Sequence, residues 1–188
     1  MDAFLTSAGI VALAEIGDKT QLLAIVLAAK FKKPVPIILG ILVATLLNHA
    51  AAAGAGFYVA AFLKGKLFQA LVGAAFIVMA LWALVPDKED GEAVKKVKGG
   101  VFMATAVAFF FVEIGDKTQI ATSLLAARFH NIALVAAGTT LGMMIANIPA
   151  VYFGEAATKI VPLKYVRLAA AAVFLVIGLW VIVNAMGA

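Results

Sequence analysis

Apolar residues run through this chain in six long stretches, approximately Ala3 to Ala29, Pro36 to Leu63, Leu67 to Val85, Val101 to Ala127, Ile132 to Gly154 and Val166 to Met186. Each is near or above the roughly 20 residues that a helix needs to cross about 30 Å of hydrocarbon. The stretches are continuously apolar and do not alternate, and lipid demands that every backbone polar group be satisfied internally, so helices are expected and strands are not. Hydrophobic residues make up 65% of the 188 and charged residues 13%, against about half and a quarter in an ordinary soluble domain. A soluble fold of this size has no interior large enough to hide that surface. The first stretch lacks a basic leading segment, contains Glu15 and Asp18, and is too long for a secretory signal, so it is read as part of the protein.

Lys and Arg set the expected orientation. Segments on the amino-terminal side carry Lys64, Lys66 and Arg128, whereas the opposite loops carry Lys30, Lys32, Lys33, Lys88, Lys95, Lys96, Lys98, Lys159, Lys164 and Arg167. The positive-inside rule then puts both termini outside the cytoplasm, in an inner membrane. The net charge of +5 reads as a topology signal and as contact with anionic headgroups; no aromatic-interleaved basic patch suggests nucleic acid. The chain has no cysteine, which excludes disulfides, thiolate ligands and thiol nucleophiles.

The chain is one unit written twice. A shift of 98 residues, from Glu15 to Glu113, superposes Glu15-Ile-Gly-Asp-Lys-Thr-Gln21 on Glu113-Ile-Gly-Asp-Lys-Thr-Gln119 without a gap, and the match continues through Gly40 and Gly138, Lys66 and Lys164, and Leu81-Trp82 and Leu179-Trp180. Residues 1–85 form one unit and 101–188 the other, joined by a charged linker at 86–100 that is expected to be cytoplasmic and to carry no chemistry. Three spans per unit is an odd number, so the second copy enters the membrane from the opposite side. The expected fold is therefore an all-α polytopic membrane protein of six transmembrane helices arranged as two inverted three-helix repeats. Inverted repeats place a substrate site near the midplane, as in secondary transporters.

Four of the ten acidic residues, Glu15, Asp18, Glu113 and Asp116, lie inside predicted spans. Each ionised side chain at a helix centre costs about 2.5 to 3.5 kcal/mol even on the mild insertion scale. On a helix, positions three apart share a face, so Glu15, Asp18 and Gln21 point together, as do Glu113, Asp116 and Gln119. Facing one another, they would form an oxygen-rich cage of four carboxylates and two amides, with the hydroxyls of Thr20 and Thr118 at hand. Such a set suits calcium, magnesium and manganese. Gly17 and Gly115 permit close packing or local unwinding of the helix. Lys19 and Lys117 project off that face and are expected to pair with a carboxylate across the interface or to snorkel along the pathway, replacing the cation's charge in the empty state; while protonated they cannot bind a metal. Burial disfavours charged carboxylates and a divalent ion reverses that preference, so cation binding releases protons, which is a mechanism for exchange.

Asn48, His49 and Asn147 place further polar groups on the second helix of each unit, with His49 and Asn147 aligned by the shift; they read as neutral ligands, a proton step or interhelical hydrogen bonds. Thr122 and Ser123 read as packing residues ahead of ligands, Met143 and Met144 as core filler ahead of a sign of a softer metal such as manganese, Trp82 and Trp180 as interfacial anchors, and Glu155 as an end-of-helix charge. Other functions fit less well. Two lysines cannot neutralise four carboxylates, which argues against a purely structural ion-pair role. An intramembrane aspartyl protease built on Asp18 and Asp116 would have its shared-proton pair disturbed by the neighbouring Glu and Lys. A passive cation channel would share the carboxylates but has no need of two inverted halves.

At these residues the chain resembles the E-x-G-D-K/R-S/T family, also known as uncharacterised protein family 0016, whose members include bacterial manganese exporters and a Golgi calcium/manganese transporter linked to human glycosylation defects. Both copies match in full, as Glu15-Ile16-Gly17-Asp18-Lys19-Thr20 and Glu113-Ile114-Gly115-Asp116-Lys117-Thr118, and the likeness covers the whole chain. Its compact length and lack of a long amino-terminal extension resemble the bacterial members. The resemblance implies divalent cation/proton antiport, with the motif Glu and Asp as cation-binding residues and manganese export from the cytoplasm in bacteria. Under that reading the protein is no enzyme, needs no cofactor, and has a divalent cation and protons as substrates within the lipid bilayer.

Overall fold

The computed structural model describes residues 3–63, 65–85, 100–154 and 163–187, and every regular element among them is an α-helix. The helices are α1 (Ala3–Glu15), α2 (Lys19–Phe31), α3 (Pro34–Phe62), α4 (Lys66–Ala83), α5 (Gly100–Glu113), α6 (Lys117–Phe129), α7 (Ile132–Phe153) and α8 (Leu163–Gly187). Nearly all of the central linker, together with Lys64, Glu155 and Lys159, lies outside the described residues.

Four helices, α3, α4, α7 and α8, are long and apolar enough to cross a membrane. The first and fourth apolar stretches behave differently from expectation: neither is one helix. Residues 3–29 are divided between α1 and α2, and 101–127 between α5 and α6, with the break inside the motif both times. A 13-residue piece such as α1 or α2 is only about 20 Å long at 1.5 Å per residue, too short to span a bilayer alone. Glycine causes the break. Gly17 has φ +80° and Gly115 φ +76°, a region that a Cβ makes costly and glycine enters freely. The Asp18 N–H donates to the Glu15 carbonyl at 3.0 Å, and Asp116 repeats the bond to Glu113 at 3.0 Å. Each motif thus makes a four-residue turn with glycine third, where the turn requires positive φ. The aspartates then sit in extended conformation as N-caps of α2 and α6.

The two halves interleave. α1 packs mainly on α7 of the other half, α5 on α3, and α4 on α8. The first two pairs match under the 98-residue shift. A Cβ on Gly40 would lie 2.8 Å from the Phe102 carbonyl oxygen, and one on Gly138 would collide with the Phe4 carbonyl; small residues permit this close approach of helix backbones. Successive contacts of α1 with α7, from Phe4 at Gly138 to Glu15 at Asn147, climb both helices together, so the pair is parallel. α4 and α8 are antiparallel, with Gly73 against Gly178 and Phe76 stacked on Phe174 at 6.3 Å.

Polarity is inverted relative to a water-soluble fold. Large apolar side chains such as Phe62, Leu67, Val78, Leu81 and Phe153 face outward, while Glu15, Asp18, His49, Glu113, Asp116 and Lys117 are buried. Arg128 lies over the ring of the exposed Trp180, 4.6 Å from its centre, a cation–π contact suited to a headgroup boundary.

Candidate functional site

The two broken helices deliver their ends to one place. Glu15 terminates α1, while Asp18 and Asp116 cap α2 and α6. One carboxylate oxygen from each of Glu15, Asp18 and Asp116 lies within 4.8 Å of the others, and all three residues are buried. Two ionised carboxylates at that separation repel by about 3 kcal/mol at an effective dielectric of roughly 20. The N-termini of α2 and α6 favour the negative charge of the two aspartates they carry. Lys19 crosses from the first motif to the second, its Nζ 3.1 Å from Asp116 Oδ1, which is the kind of pairing expected for it. Lys117 donates to the Val85 carbonyl at 3.1 Å.

Glu113 lies outside that 4.8 Å grouping. Its Oε1 accepts from the Thr45 hydroxyl at 2.7 Å and its Oε2 from the Asn48 amide at 3.0 Å, both on α3. Glu15, its repeat partner, has less: Oε1 accepts from Asn147 at 3.3 Å, and the buried Oε2 has no hydrogen-bond partner. The Asn147 Oδ1 and both ring nitrogens of His49 are likewise buried without one. The cage expected from four carboxylates is therefore three carboxylates together and one secured by neutral donors.

The carboxamides of Gln21 and Gln119, expected as ligands, are engaged in bracing the turns. Gln21 Oε1 accepts from the Gly17 N–H at 2.8 Å and Gln119 Oε1 from the Gly115 N–H at 2.7 Å. This is close to a capping box, in which a side chain three residues into the helix reaches back to the turn before it. Gln21 Nε2 also donates to the Ala146 carbonyl at 2.9 Å. The hydroxyl of Thr118 donates to Asp116 Oδ2 at 3.2 Å and that of Thr20 to Asp18 Oδ2 at 3.5 Å, so both threonines orient the aspartates they follow. Ser123 donates to the Ala52 carbonyl across the α3–α6 seam.

A narrow cleft between the ends of α1, α4, α6 and α8, lined by Ile16, Asp18, Ala83, Lys117, Arg167 and Phe174 among others, reaches Asp18. A larger cavity of about 730 Å³ lies by Phe57, Gln69, Arg128, His130 and Asn184, and no motif residue lines it. Sequence reasoning missed Thr45, which sits one helical turn before Asn48, and it used Arg167 only for topology. The signal for Thr45 was available as a polar residue on the same helix face as Asn48.

The profile of the family described as divalent cation/proton antiporter GDT1 matches residues 3–91 and 101–188. A Vibrio cholerae protein named as a candidate manganese exporter is 48% identical over 170 residues, covering 90% of this chain and 84% of the relative. No solved structure matches the chain.

Proposed function

Because the chain belongs to the GDT1 family of divalent cation/proton antiporters, a family of membrane transporters and not of enzymes, we propose that it exports manganese from the cytoplasm in exchange for protons, with Glu15, Asp18 and Asp116 as its cation site. The observation that carries the reading is the convergence of those three buried carboxylates from both motif copies. Manganese is favoured over calcium by the exporter named in Vibrio cholerae. Proton exchange follows from charge balance: when the cation leaves, the cluster retains only what Lys19 and protons can neutralise. Glu113, now held by Thr45 and Asn48, is the repeat counterpart available to take the part of Glu15 in the opposite access state. Gln21, Gln119, Gly17 and Gly115 shape the turns, Thr20 and Thr118 steer the aspartates, and Asn147 donates to Glu15.

In this reading α1–α2 and α5–α6 each cross the membrane as one broken span, which gives six crossings. The parallel pairing of α1 with α7 and the antiparallel pairing of α4 with α8 support an inverted repeat, since both are what three crossings per unit require. Lys and Arg counts support both termini outside the cytoplasm of an inner membrane. The test is a reconstituted vesicle in which an imposed proton gradient is expected to drive Mn²⁺ uphill. A flux indifferent to the gradient would instead identify a passive pore.

A further inference from the structure

We propose that Met143 is a specificity-determining residue, supplying a thioether to the cation so that manganese and softer divalent ions are taken in preference to calcium and magnesium. This rests on the cation-site reading above and goes beyond it, since the three carboxylates alone suit hard ions equally well.

Met143 and Met144 look alike in sequence, but the fold separates them. Met144 packs in an apolar cluster with Leu23, Ala108 and Phe109, as a filler does. Met143 is fully buried, and its sulfur meets a polar side chain there. Its sulfur lies 3.1 Å from the Asn147 Nδ2 that is also 3.3 Å from Glu15 Oε1, so sulfur and carboxylate are separated by a single shared nitrogen. The same nitrogen also donates to the Met143 carbonyl at 3.1 Å. An amide has two hydrogens, and here three acceptors share them, so the thioether, the weakest acceptor, is the one free to turn to an ion. Beside it, Glu15 Oε2 and Asn147 Oδ1 are buried oxygens without partners, the kind of unmet need that a bound cation satisfies.

The repeat sharpens the contrast. The 98-residue shift places Met143 on Thr45, and Asn147 on His49. Thr45 gives Glu113 a proton donor, which satisfies the carboxylate without a metal. Met143 cannot donate, and its sulfur instead lies against Asn147, the residue that donates to Glu15. One half is thus built to hold its glutamate occupied, the other to leave it facing a cation with a soft ligand nearby. Exchanging water for a thioether penalises calcium and magnesium, which favour oxygen, more than manganese or cadmium.

The experiment compares full-length wild type, Met143→Leu and Met144→Leu in vesicles; the Leu changes nearly conserve volume. Mn²⁺ uptake is measured against Ca²⁺ and Cd²⁺ as competitors. In Met143→Leu, Ca²⁺ should compete on the order of tenfold better and Cd²⁺ on the order of tenfold worse, with Met144→Leu resembling wild type. An unchanged competition profile in Met143→Leu overturns the proposal. X-ray absorption of Cd²⁺-loaded wild type tests it without any variant. Because the chain has no cysteine, a cadmium–sulfur shell can come only from methionine, and its absence would also overturn the proposal. Failure of wild type to move Mn²⁺ at all would instead remove the transport reading beneath it.

Discussion

Three carboxylates within 4.8 Å of one another and out of water need positive charge, and Lys19 on Asp116 provides one unit of it. Asp18→Asn removes an oxygen donor from the cluster and is expected to abolish Mn²⁺ transport while the protein still inserts; Glu113→Gln should do the same because the opposite access state then lacks its glutamate. Full activity in both variants would sink the site assignment. Proton release on binding has a definite sign. Under the proposed exchange the ion displaces protons from the carboxylates, so apparent Mn²⁺ affinity should rise as pH rises from mildly acidic to mildly basic. Calorimetry in buffers of different ionisation enthalpy reads the released protons directly, and affinity flat across that range would contradict the coupling.

At the scale of the helix, the motif is a device for ending one helix and starting another. Glycine third in the turn, aspartate as N-cap and glutamine reaching back to the glycine N–H are three parts of one structure. A methyl group on Gly115 would meet nothing within 4 Å, so Gly115→Ala isolates the conformational penalty of positive φ, about 1 to 2 kcal/mol. Thermal unfolding in detergent should show that loss together with weakened Mn²⁺ binding, as the turn aims Asp116. Packing glycines are a separate class. Gly54→Ala enters open space and should leave stability unchanged or slightly raised, whereas Gly138→Ala collides with the Phe4 carbonyl on α1 and should cost on the order of 1 to 3 kcal/mol. Equal melting temperatures for the two variants would contradict the interleaved α1–α7 contact.

Over the whole molecule, each half completes the other. α1 lies on α7 and α5 on α3, so neither half has a closed interior or a complete site by itself. Single cysteines placed at the two termini of this cysteine-free chain should both be labelled by an impermeant reagent from the external face. Labelling only after permeabilisation would reverse the orientation.

The sequence alone determined the helical class, the duplication and which acidic residues lie buried, because lipid allows few backbone solutions and a repeated polar heptapeptide in apolar surroundings has a high cost. It offered close packing or local unwinding at Gly17 and Gly115 without choosing between them: hydropathy is blind to the backbone, and only the positive φ of the two glycines shows that the helix stops there. Spacing of three residues grouped Glu15 with Asp18 and Gln21 as one face of one helix; in the fold a turn separates them, and Gln21 holds that turn. Only the tertiary structure decided that Glu113 and Glu15, identical in their local sequence, have different surroundings. Those surroundings come from α3 and α7, where Thr45 and Asn48 donate to one glutamate and Asn147, which also meets the Met143 sulfur, donates to the other. A local motif specifies its own turn, but which neighbours satisfy its charges is set by helices nearly 70 and more than 130 residues away in the chain.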